Sequence, residues 1–345
     1  MLKAGFIESH QDASLFVRTT SRGRVLLLIY VDDMIITGDD MIGIQYAKSQ
    51  LQQQFHMKDL GSLRYFLGLE ISQGPRGVLL SQQKYLSDIL NQAELTDNTT
   101  VDTPLQQNVK LCSTDGEPLS DPTRYRHLVG QLVYLCISRP DISHAVGIVS
   151  QFVSAPRSVH YAVLLRILRY LRGTSTRSLL FPATSKLELC AYSDADWAGD
   201  PTTRKSTTGY CIFLGDSLIS WRSKKQDVIA LSSTEAEYRA MSTTAKEIIH
   251  LRRLLSDFGI SVTTPTPLYC DNKSAIQIAN NPVFHERTKH IEIDAHFVRH
   301  QVIKDKTILL PHVSSADELA DFFTKALPVH RFQFLVRKLT LFDPT

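Results

Sequence analysis

The sequence predicts a chain of the α/β class, α+β when taken as a whole, in which strands precede a run of alternating helices and strands. Three observations predict this class. Residues 24–40, RVLLLIYVDDMIITGDD, contain two apolar runs of strand-forming residues separated by a pair of aspartates, the pattern of a β-hairpin. Residues 125–171 have the apolar spacing of helices. Beyond residue 186, strands come first and then alternate with helices, which predicts a mixed sheet.

The elements before residue 186 follow from periodicity and turn chemistry. After the hairpin, the apolar patterns predict a helix at 42–55, a strand at 66–71 and a helix at 81–95. Residues 97–123 are rich in turn formers and predict a linker or surface loop. Within the helical region that follows, Pro140 and Pro156 should each begin a new helix, because proline does not continue one.

The residues after 186 supply the elements of the predicted sheet. Alternating patterns and turn residues predict strands at 186–192, 209–215, 217–221 and 227–233. A helix follows at 234–258, and apolar residues at spacings of three and four mark its buried face. The remaining predicted elements are a strand at 266–271, a short helix from Asn272, a helix at 290–302, a strand at 307–313 and a final helix at 315–327.

Composition limits the class of protein. A length of 345 residues predicts two or three domains, and 43% apolar with 21% charged residues indicates a folded chain. The formal net charge of +3 does not by itself indicate a nucleic-acid partner, but residues 142–187 contain no Asp or Glu. Five scattered cysteines without a C-x-x-C pair favour a reducing compartment, cytoplasmic or nuclear. The sequence predicts no membrane segment, because its apolar runs are too short.

A pair of aspartates at the tip of the predicted hairpin, Asp32 and Asp33, admits two interpretations. Aspartate is a common turn residue, so the pair can serve the turn alone. Two adjacent carboxylates at a hairpin tip can also form half of a divalent-metal site. The residues of the hairpin leave both interpretations open.

In the C-terminal part of the chain, acidic residues fall where strands end or helices begin. They are Asp194 and Asp196 at the end of the first strand, Glu235 and Glu237 at the start of the long helix, Asp271 as the last residue of a later strand and Asp317 at the start of the last helix. Such positions gather along one edge of a mixed sheet, so these carboxylates can converge. Four oxygen ligands suit Mg²⁺ or Mn²⁺. Each acid taken singly can equally be a helix cap or a turn residue.

A series of blocks, in order along essentially the whole chain, resembles the C-terminal part of the Pol polyprotein of copia-type long-terminal-repeat retrotransposons. YVDDMIITG and YFLGLEI resemble the metal-binding hairpin of a reverse transcriptase and the strand after it, and YRHLVGQLVYLCISRPDI is similar to the connecting region. YSDADWAGD, RKSTTGYCIFLG, LSSTEAEYRA, YCDNKSAI, RTKHIEIDAHFVR and SADELADFFTKAL resemble successive blocks of a ribonuclease H. The resemblance implies a truncated polymerase palm and thumb at 1–105, a helical connection at 106–185 and a ribonuclease H-like domain with a mixed five-stranded sheet at 186–345.

The resemblance also implies roles for individual residues. The expected metal-binding carboxylates of the ribonuclease H are Asp194, Glu237, Asp271 and Asp317. Two ions of Mg²⁺ or Mn²⁺ would serve hydrolysis of the RNA strand in an RNA–DNA hybrid, one at the attacking water and one at the leaving oxygen. Asp196 and Glu235 are the neighbours most easily confused with these ligands, and His312 lies nearby without an assigned role.

For the polymerase, the resemblance implies that Asp32 and Asp33 are remnant metal ligands. The third carboxylate and the nucleotide-holding fingers belong to an earlier segment that we expect this chain to lack. Reverse transcriptase activity is therefore not expected, unless association with other Pol-derived chains restores the fingers. The leading functional prediction is a ribonuclease H acting on RNA–DNA hybrids or related nucleic acid. The alternative is a catalytically silent nucleic-acid-binding remnant.

Two further patterns each have two interpretations. Arg166, Arg169 and Arg172 lie three apart on one predicted helical face, which is either a solvated basic face or a contact for the nucleic-acid backbone. The acid-free window favours the contact. Residues 290–296 alternate His, Glu, Asp and His, which in a strand would line one face and mimic a zinc site. A helix scatters these side chains, and the surrounding apolar residues favour the helix.

Overall fold

The computed structural model describes residues 5–281 and 292–343. Its contacts divide the chain into two compact units, Met1–Leu67 with Glu247–Thr264 and Gly68–Lys246 with Pro265–Thr345. The first unit therefore includes a segment that lies far from it in sequence. The domain boundaries expected near residues 105 and 185 remain predictions.

The first unit contains an antiparallel sheet and a helix. Its elements are β1 (Ile7–Glu8), β2 (Leu15–Thr20), β3 (Gly23–Tyr30), β4 (Asp33–Gly38), α1 (Met41–Gln54) and β5 (Tyr65–Phe66). Strands β1 to β4 are neighbours in that order, and the β3–β4 pair confirms the predicted hairpin. Asp40 caps α1 by accepting the N–H of Gly43 at 2.9 Å. Val25 and Leu27 of β3 pack with Ile44 of α1 in the core of this unit.

The second unit begins with a small antiparallel sheet and four helices. In chain order the elements are β6 (Leu69–Gly74), β7 (Gly77–Ser81), α2 (Gln83–Ala93), α3 (Pro122–Leu135), α4 (Ser143–Ser150), α5 (Ser158–Gly173) and β8 (Ser178–Pro182). Strand β7 pairs with β6 on one side and with β8 on the other. Pro140 begins a 3-10 turn before α4, and Pro156 lies two residues before α5, so both predicted breaks are confirmed.

A buried ion pair joins the turn between α3 and α4 to the end of α5. The guanidinium of Arg139 contacts the two carboxylate oxygens of Asp141 at 2.9 and 2.7 Å, and it also donates to the carbonyl and the hydroxyl of Thr174 at 2.9 and 2.7 Å. The Tyr170 hydroxyl donates to Asp141 at 2.6 Å. Because the side chains of Arg139 and Asp141 are 3% and 0% exposed, the network belongs to the core.

The second half of this unit contains the mixed five-stranded sheet that the sequence predicts. The elements are β9 (Leu189–Ala195), β10 (Thr207–Leu214), β11 (Ser217–Lys225), α6 (Ser233–Asp257, whose residues from Glu247 onward belong to the first unit), β12 (Thr266–Tyr269), α7 (Lys273–Asn280), α8 (Glu292–Arg299), β13 (Ile308–Leu309), α9 (Val329–Lys338) and β14 (Leu341–Phe342). The strand order is β11-β10-β9-β12-β13. Strand β10 runs antiparallel to β9 and β11, whereas β12 runs parallel to β9 and β13. Strand β14 instead pairs with β8 of the small sheet.

The strand predicted at 227–233 is wrong, because this segment forms the approach to α6. The backbone N–H of Leu231 donates to the Glu235 carboxylate at 2.8 Å, and the Glu235 N–H donates to the Ser232 hydroxyl at 3.1 Å. These bonds are those of a helix start, so they occupy donors that a strand would have used.

The single helix predicted at 315–327 is also wrong. A turn leads into a short 3-10 segment, Ala320–Phe323, and the following helix α9 begins only at Val329. The Glu318 side chain accepts the N–H of Ala320 at 2.9 Å, which diverts a backbone donor from the helical pattern. Within residues 5–281 and 292–343, none of the helices is long and apolar enough to cross a bilayer.

Candidate active site

Two of the predicted carboxylates lie at the same edge of the mixed sheet. The parallel pair of β9 and β12 aligns Tyr192 with Tyr269, and Asp194 and Asp271 each follow two residues later. Asp194 is 1% exposed, whereas Asp271 is partly exposed. The Nε2 atom of His312 lies 3.1 Å from the carbonyl oxygen of Asp271. The two acids therefore occupy the carboxyl ends of parallel strands, where ligand sites of α/β sheets usually form.

Glu237 joins these two residues from the first turns of α6. One carboxylate oxygen of Glu237, the Sγ atom of Cys270 and one carboxylate oxygen of Asp271 all lie within 4.8 Å of one another. Burial raises the pKa of Glu237 far above its usual range, and the negative charges of Asp194 and Asp271 raise it further. The structure thus places Glu237 and Asp271 within reach of one ion, and Asp194 is near enough for its charge to raise the pKa of Glu237.

The other side of Asp194 faces the 3-10 segment near residue 320. Gly209 of β10 pairs with Asp194, and a Cβ atom at this glycine would lie 2.6 Å from the Thr324 side chain, so the close approach of the segment requires glycine. The Thr324 hydroxyl donates to the Asp194 carboxylate. The Nζ atom of Lys325 lies 3.3 Å from each carboxylate oxygen of Asp194. Two consecutive side chains of this segment therefore fix the Asp194 carboxylate.

The acidic residue linked to Asp194 from this segment is Asp321, whereas the sequence predicted Asp317. Asp317 is exposed, and its carboxylate accepts the hydroxyl of Ser314 at 2.7 Å. Asp321 binds the ammonium of Lys325, the same group that contacts Asp194. Burial raises the pKa of Asp321, and the charge of Asp194 adds to the effect. Asp321 is therefore a candidate metal ligand that the sequence pattern does not single out, because the pattern predicts one helix at 315–327 with Asp317 at its start.

Glu318 is a second acidic residue that the sequence analysis did not single out. Its side chain is fully buried, and one carboxyl oxygen accepts the N–H of Ala320. Burial raises the pKa of Glu318 well above its usual range, and the charges of Asp194 and Asp271 also raise it. These conditions favour a protonated Glu318 beside the carboxylate cluster. The surrounding letters SADELAD resemble an exposed helix start and carry no signal of such burial.

The two neighbouring acids that the sequence could confuse with ligands make structural contacts. Asp196 accepts the backbone N–H of Thr207 on β10. Burial raises the pKa of Asp196 to about 6, and the nearby charge of Asp194 contributes. Glu235 pairs with Arg239 one turn further along α6, at 2.8 Å. Both side chains therefore support the elements that carry the site.

The donor atoms of the cluster fit a divalent metal. Asp194, Glu237 and Asp271 offer carboxylate oxygens, which are the ligands that Mg²⁺ and Mn²⁺ prefer. Burial raises the pKa of the Cys270 thiol, so at neutral pH this group is protonated and is a poor metal ligand. The raised pKa of Glu237 and the ammonium of Lys325 beside Asp194 both reflect a local excess of negative charge. A bound divalent cation would neutralise that charge.

The proteins most informative about this chain are transposon polyproteins. The retrovirus-related Pol polyprotein from transposon RE1 of Arabidopsis thaliana is 44% identical over 339 residues, covering 98% of this chain and 23% of that protein. A transposon Ty5-1 protein of Saccharomyces cerevisiae is 36% identical over 249 residues, covering 71% of this chain and 81% of that protein. The chain belongs to the copia-type Pol polyproteins. The Pol polyprotein from transposon TNT 1-94 of Nicotiana tabacum is 38% identical over 338 residues, covering 95% of this chain and 25% of that protein.

The chain spans about a quarter of the length of the RE1 and TNT 1-94 polyproteins. Residues 1–107 match the family described as reverse transcriptase (RNA-dependent DNA polymerase). Among solved structures, LC11-RNase H1 isolated from compost is 14% identical, with a TM-score of 0.29, over 40% of this chain and 93% of that chain. RNase H1 from the archaeon Halobacterium salinarum is 14% identical, with a TM-score of 0.27, over 39% and 90%. Family membership rests on the sequence relatives, since these structural overlaps are weak.

In this Pol segment, Asp32 and Asp33 lie at the exposed tip of the β3–β4 hairpin. Within the part of the chain that the structure describes, the group of His, Cys, Asp and Glu side chains close enough to share a metal is the one around Glu237. The structure therefore adds no further ligand to the hairpin pair. Its assignment as a polymerase metal site remains a prediction.

The nucleic-acid contacts predicted for three arginines of α5 remain a prediction, and the structure shows partners of these side chains within the chain. Arg169 and Arg172 both bind the carboxylate of Asp97, at 2.7 and 3.1 Å. Arg166 donates to the hydroxyl of Thr103 at 3.0 Å. All three side chains hold the loop before α3 against α5. An acid-free sequence window therefore does not mean that these cations lack an acidic partner, because the acid that pairs with two of them comes from a distant part of the sequence.

Replacing Asp97 by Ala is expected to lower the free energy of unfolding by a small but measurable amount, because the half-exposed carboxylate accepts bonds from two arginines. Denaturant titration of the variant measures this change. In the same variant, and in Arg169→Ala, the affinity for an RNA–DNA hybrid and its salt dependence should match those of the wild type. A flatter salt dependence in Arg169→Ala, with unchanged stability, would restore the nucleic-acid interpretation.

The alternating pattern at 290–296 does not form a strand where it is described. His290 lies outside the described residues, and the structure describes no side chain for Glu292. Asp294 lies on α8, where its carboxylate accepts the Ser242 hydroxyl at 2.8 Å and binds Lys246 at 3.1 Å. The predicted helix is confirmed from residue 292 onward, and Asp294 serves packing between α8 and α6.

Proposed function

We propose that this Pol segment is a ribonuclease H that cleaves the RNA strand of RNA–DNA hybrids with the help of divalent metal ions. The observation that carries the proposal is the meeting of Asp194, Glu237 and Asp271, from two strand ends and one helix, at one edge of the mixed sheet. Membership in the copia-type Pol family supports the proposal, because the sequence blocks after residue 186 resemble those of a ribonuclease H. Buried carboxylates that raise one another's pKa are typical of a functional site.

The chemistry assigns each carboxylate a task. Asp194, Glu237 and Asp271 would hold the ions through carboxylate oxygens, and Asp194 is the least exposed of the three. Bound Mg²⁺ or Mn²⁺, expected as two ions, supplies a nucleophilic water and stabilises the leaving oxygen of the phosphodiester. The Thr324 hydroxyl restricts the orientation of the Asp194 carboxylate, so this ligand is already placed before a metal binds.

The experiment that tests the function uses a 5′-labelled RNA annealed to complementary DNA. The purified chain is incubated with this hybrid in Mg²⁺, in Mn²⁺ and in EDTA. The proposal expects cleavage confined to RNA within the hybrid and dependent on either metal. A chain that binds the hybrid but leaves it intact in both metals would instead be the catalytically silent nucleic-acid-binding remnant.

The fourth carboxylate is decided by comparing Asp321→Asn with Asp317→Asn in this assay. Asp321→Asn is expected to lower the rate by about tenfold or more, because this side chain is joined to Asp194 through Lys325. Asp317→Asn should keep nearly the wild-type rate, because its carboxylate is exposed and bound by Ser314. The reverse result would restore Asp317 as the fourth ligand. Equal rates in both variants and the wild type would leave the site with three carboxylates.

A further inference from the structure

The side chain of Lys325 lies between two carboxylates of the candidate active site. Its Nζ atom is 3.3 Å from both oxygens of Asp194 and also binds Asp321. Asp194 is almost completely buried, so it depends on such partners for the solvation it has lost. The ammonium therefore lies where a cation bound to Asp194 would lie, and it carries a positive charge as that cation would.

The surroundings make a cation at this point necessary. Glu237 and Asp271 add two carboxylates beside Asp194, and their mutual repulsion contributes to the raised pKa of Glu237. Removing the ammonium would leave Asp194 with the Thr324 hydroxyl as a neutral donor and with the Asp321 side chain nearby. An uncompensated buried carboxylate is strongly unfavourable. The folded chain without metal therefore gains stability from Lys325.

The backbone of Lys325 is fixed, whereas its side chain can move. Phe322 and Phe323 are buried in the core, and the Lys325 N–H donates to the Asp321 carbonyl at 3.0 Å. The Lys325 side chain itself is 42% exposed. A lysine ammonium on a flexible four-carbon stem can leave its partners for solvent without a change of fold. The exposed side of the stem gives it a path to do so.

We propose that Lys325 is a resident counter-ion of the site, which binds Asp194 and Asp321 in the absence of metal and is displaced when a divalent cation binds. The proposal rests on the metal site of the proposed function. It assigns Lys325 two opposed effects: it stabilises the metal-free fold, and it weakens metal binding by competing for Asp194. Lys325 is thus a positioning residue that sets the metal concentration at which the site fills.

The test compares Lys325→Met with the wild type, using direct Mn²⁺ titration followed by electron paramagnetic resonance. The variant removes the competing charge but keeps a long apolar stem, so Mn²⁺ should bind about tenfold more tightly, as expected when an ion pair no longer has to be broken. In EDTA, the melting temperature of the variant should fall below that of the wild type. Saturating Mn²⁺ should then raise the melting temperature of the variant by more than that of the wild type, by mass action.

The matched control is Lys225→Met. Lys225 pairs with Asp200, and the Lys225 side chain is 25% exposed, so this lysine makes a comparable ion pair away from the carboxylate cluster. Its loss should lower the melting temperature in EDTA while leaving the affinity for Mn²⁺ unchanged. The difference between the two variants then separates competition with the metal from simple loss of an ion pair.

A measurement on the wild type keeps the test independent of variant folding. An amine-acylating reagent followed by mass spectrometry should modify Lys325 several-fold faster in Mn²⁺ than in EDTA, with Lys225 as the internal reference. Equal labelling in both conditions, or equal Mn²⁺ affinity in Lys325→Met and the wild type, would overturn the proposal. Weaker Mn²⁺ binding by the variant would also overturn it, since Lys325 would then support the metal. If the wild type binds no Mn²⁺ at all, the metal site itself fails, and this result is visible before any variant is made.

Discussion

Asp194→Asn is expected to reduce hybrid cleavage by a factor on the order of a thousand or more, because it removes the most buried negative charge of the cluster while keeping the size of the side chain. The loss corresponds to several kcal/mol of transition-state stabilisation, since each 1.4 kcal/mol is tenfold in rate. Hybrid affinity should change little, because the substitution leaves the surrounding surface intact. The measurements are single-turnover cleavage of the labelled hybrid and a binding titration in EDTA.

Asp196→Asn is the neighbouring control for this prediction. An amide oxygen can still accept the Thr207 N–H, so the variant should fold and keep most of the activity. Burial raises the pKa of Asp196 to about 6, so the ionised form of this group is less favoured than that of an ordinary Asp. If Asp196→Asn is inactive and Asp194→Asn is active, the enzyme stands but the first ligand is Asp196. If both Asp194→Asn and Asp196→Asn keep their activity, the carboxylate cluster takes no part in the reaction.

The sequence predicted the site where carboxylates sit on regular elements. Asp194 and Asp271 could be placed because each follows a strand with a clear alternating pattern, and parallel neighbours align their carboxyl ends. Glu235 and Glu237 are both candidates at the start of α6, and the resemblance to the ribonuclease H blocks, not the helical period, favours Glu237. For Asp194 and Asp271, the local period determined on which side of the element the side chain lies.

The fourth predicted ligand, Asp317, remains a prediction, and Asp321 competes with it because no regular helix carries this stretch of the chain. SADELADFFTKAL has a spacing compatible with a helix, yet the chain turns at 315–317 and forms a 3-10 segment before α9. The segment is held by a local hydrogen bond from the Ala320 N–H to the buried Glu318 side chain and by the close approach to Gly209, which is a tertiary contact. A helix that starts at Asp317 would place Asp321 and Lys325 on the same face as Asp317, so the helical pattern alone does not distinguish Asp321 from Asp317.

The arginine helix shows a different limit of sequence reasoning. Charge counting over a window detects the absence of nearby acids in the chain, whereas pairing depends on distance in space. Asp97 lies more than 70 residues before Arg169 and Arg172, and it binds both. The same limit applies to the unit boundary, since residues 247–264 join the first unit from far along the chain. Local sequence patterns carry no information about such long-range contacts.

Asp141→Ala is expected to destabilise the chain by about 3–5 kcal/mol, because it leaves the Arg139 guanidinium buried without its carboxylate partner. The same substitution removes the acceptor of the Tyr170 hydroxyl hydrogen bond. It also removes the charge contact between Arg177 and the Asp141 carboxylate, at 3.6 Å. Thr174 alone cannot satisfy the guanidinium, since it supplies only neutral acceptors. Denaturant unfolding followed by circular dichroism measures the change.

The control for Asp141→Ala is the double variant Arg139→Met with Asp141→Leu. Replacing both members of a buried pair by apolar groups of similar volume is often neutral, because neither charge then has to be desolvated. The double variant should therefore recover most of the stability that Asp141→Ala loses. If it is as unstable as the single variant, the contribution comes from the geometry of the hydrogen bonds to Thr174 and Tyr170 and not from the desolvation of an unpaired charge. If the free energy of unfolding of Asp141→Ala lies within about 1 kcal/mol of the wild-type value, the site is hydrated and the ion pair behaves as an exposed one.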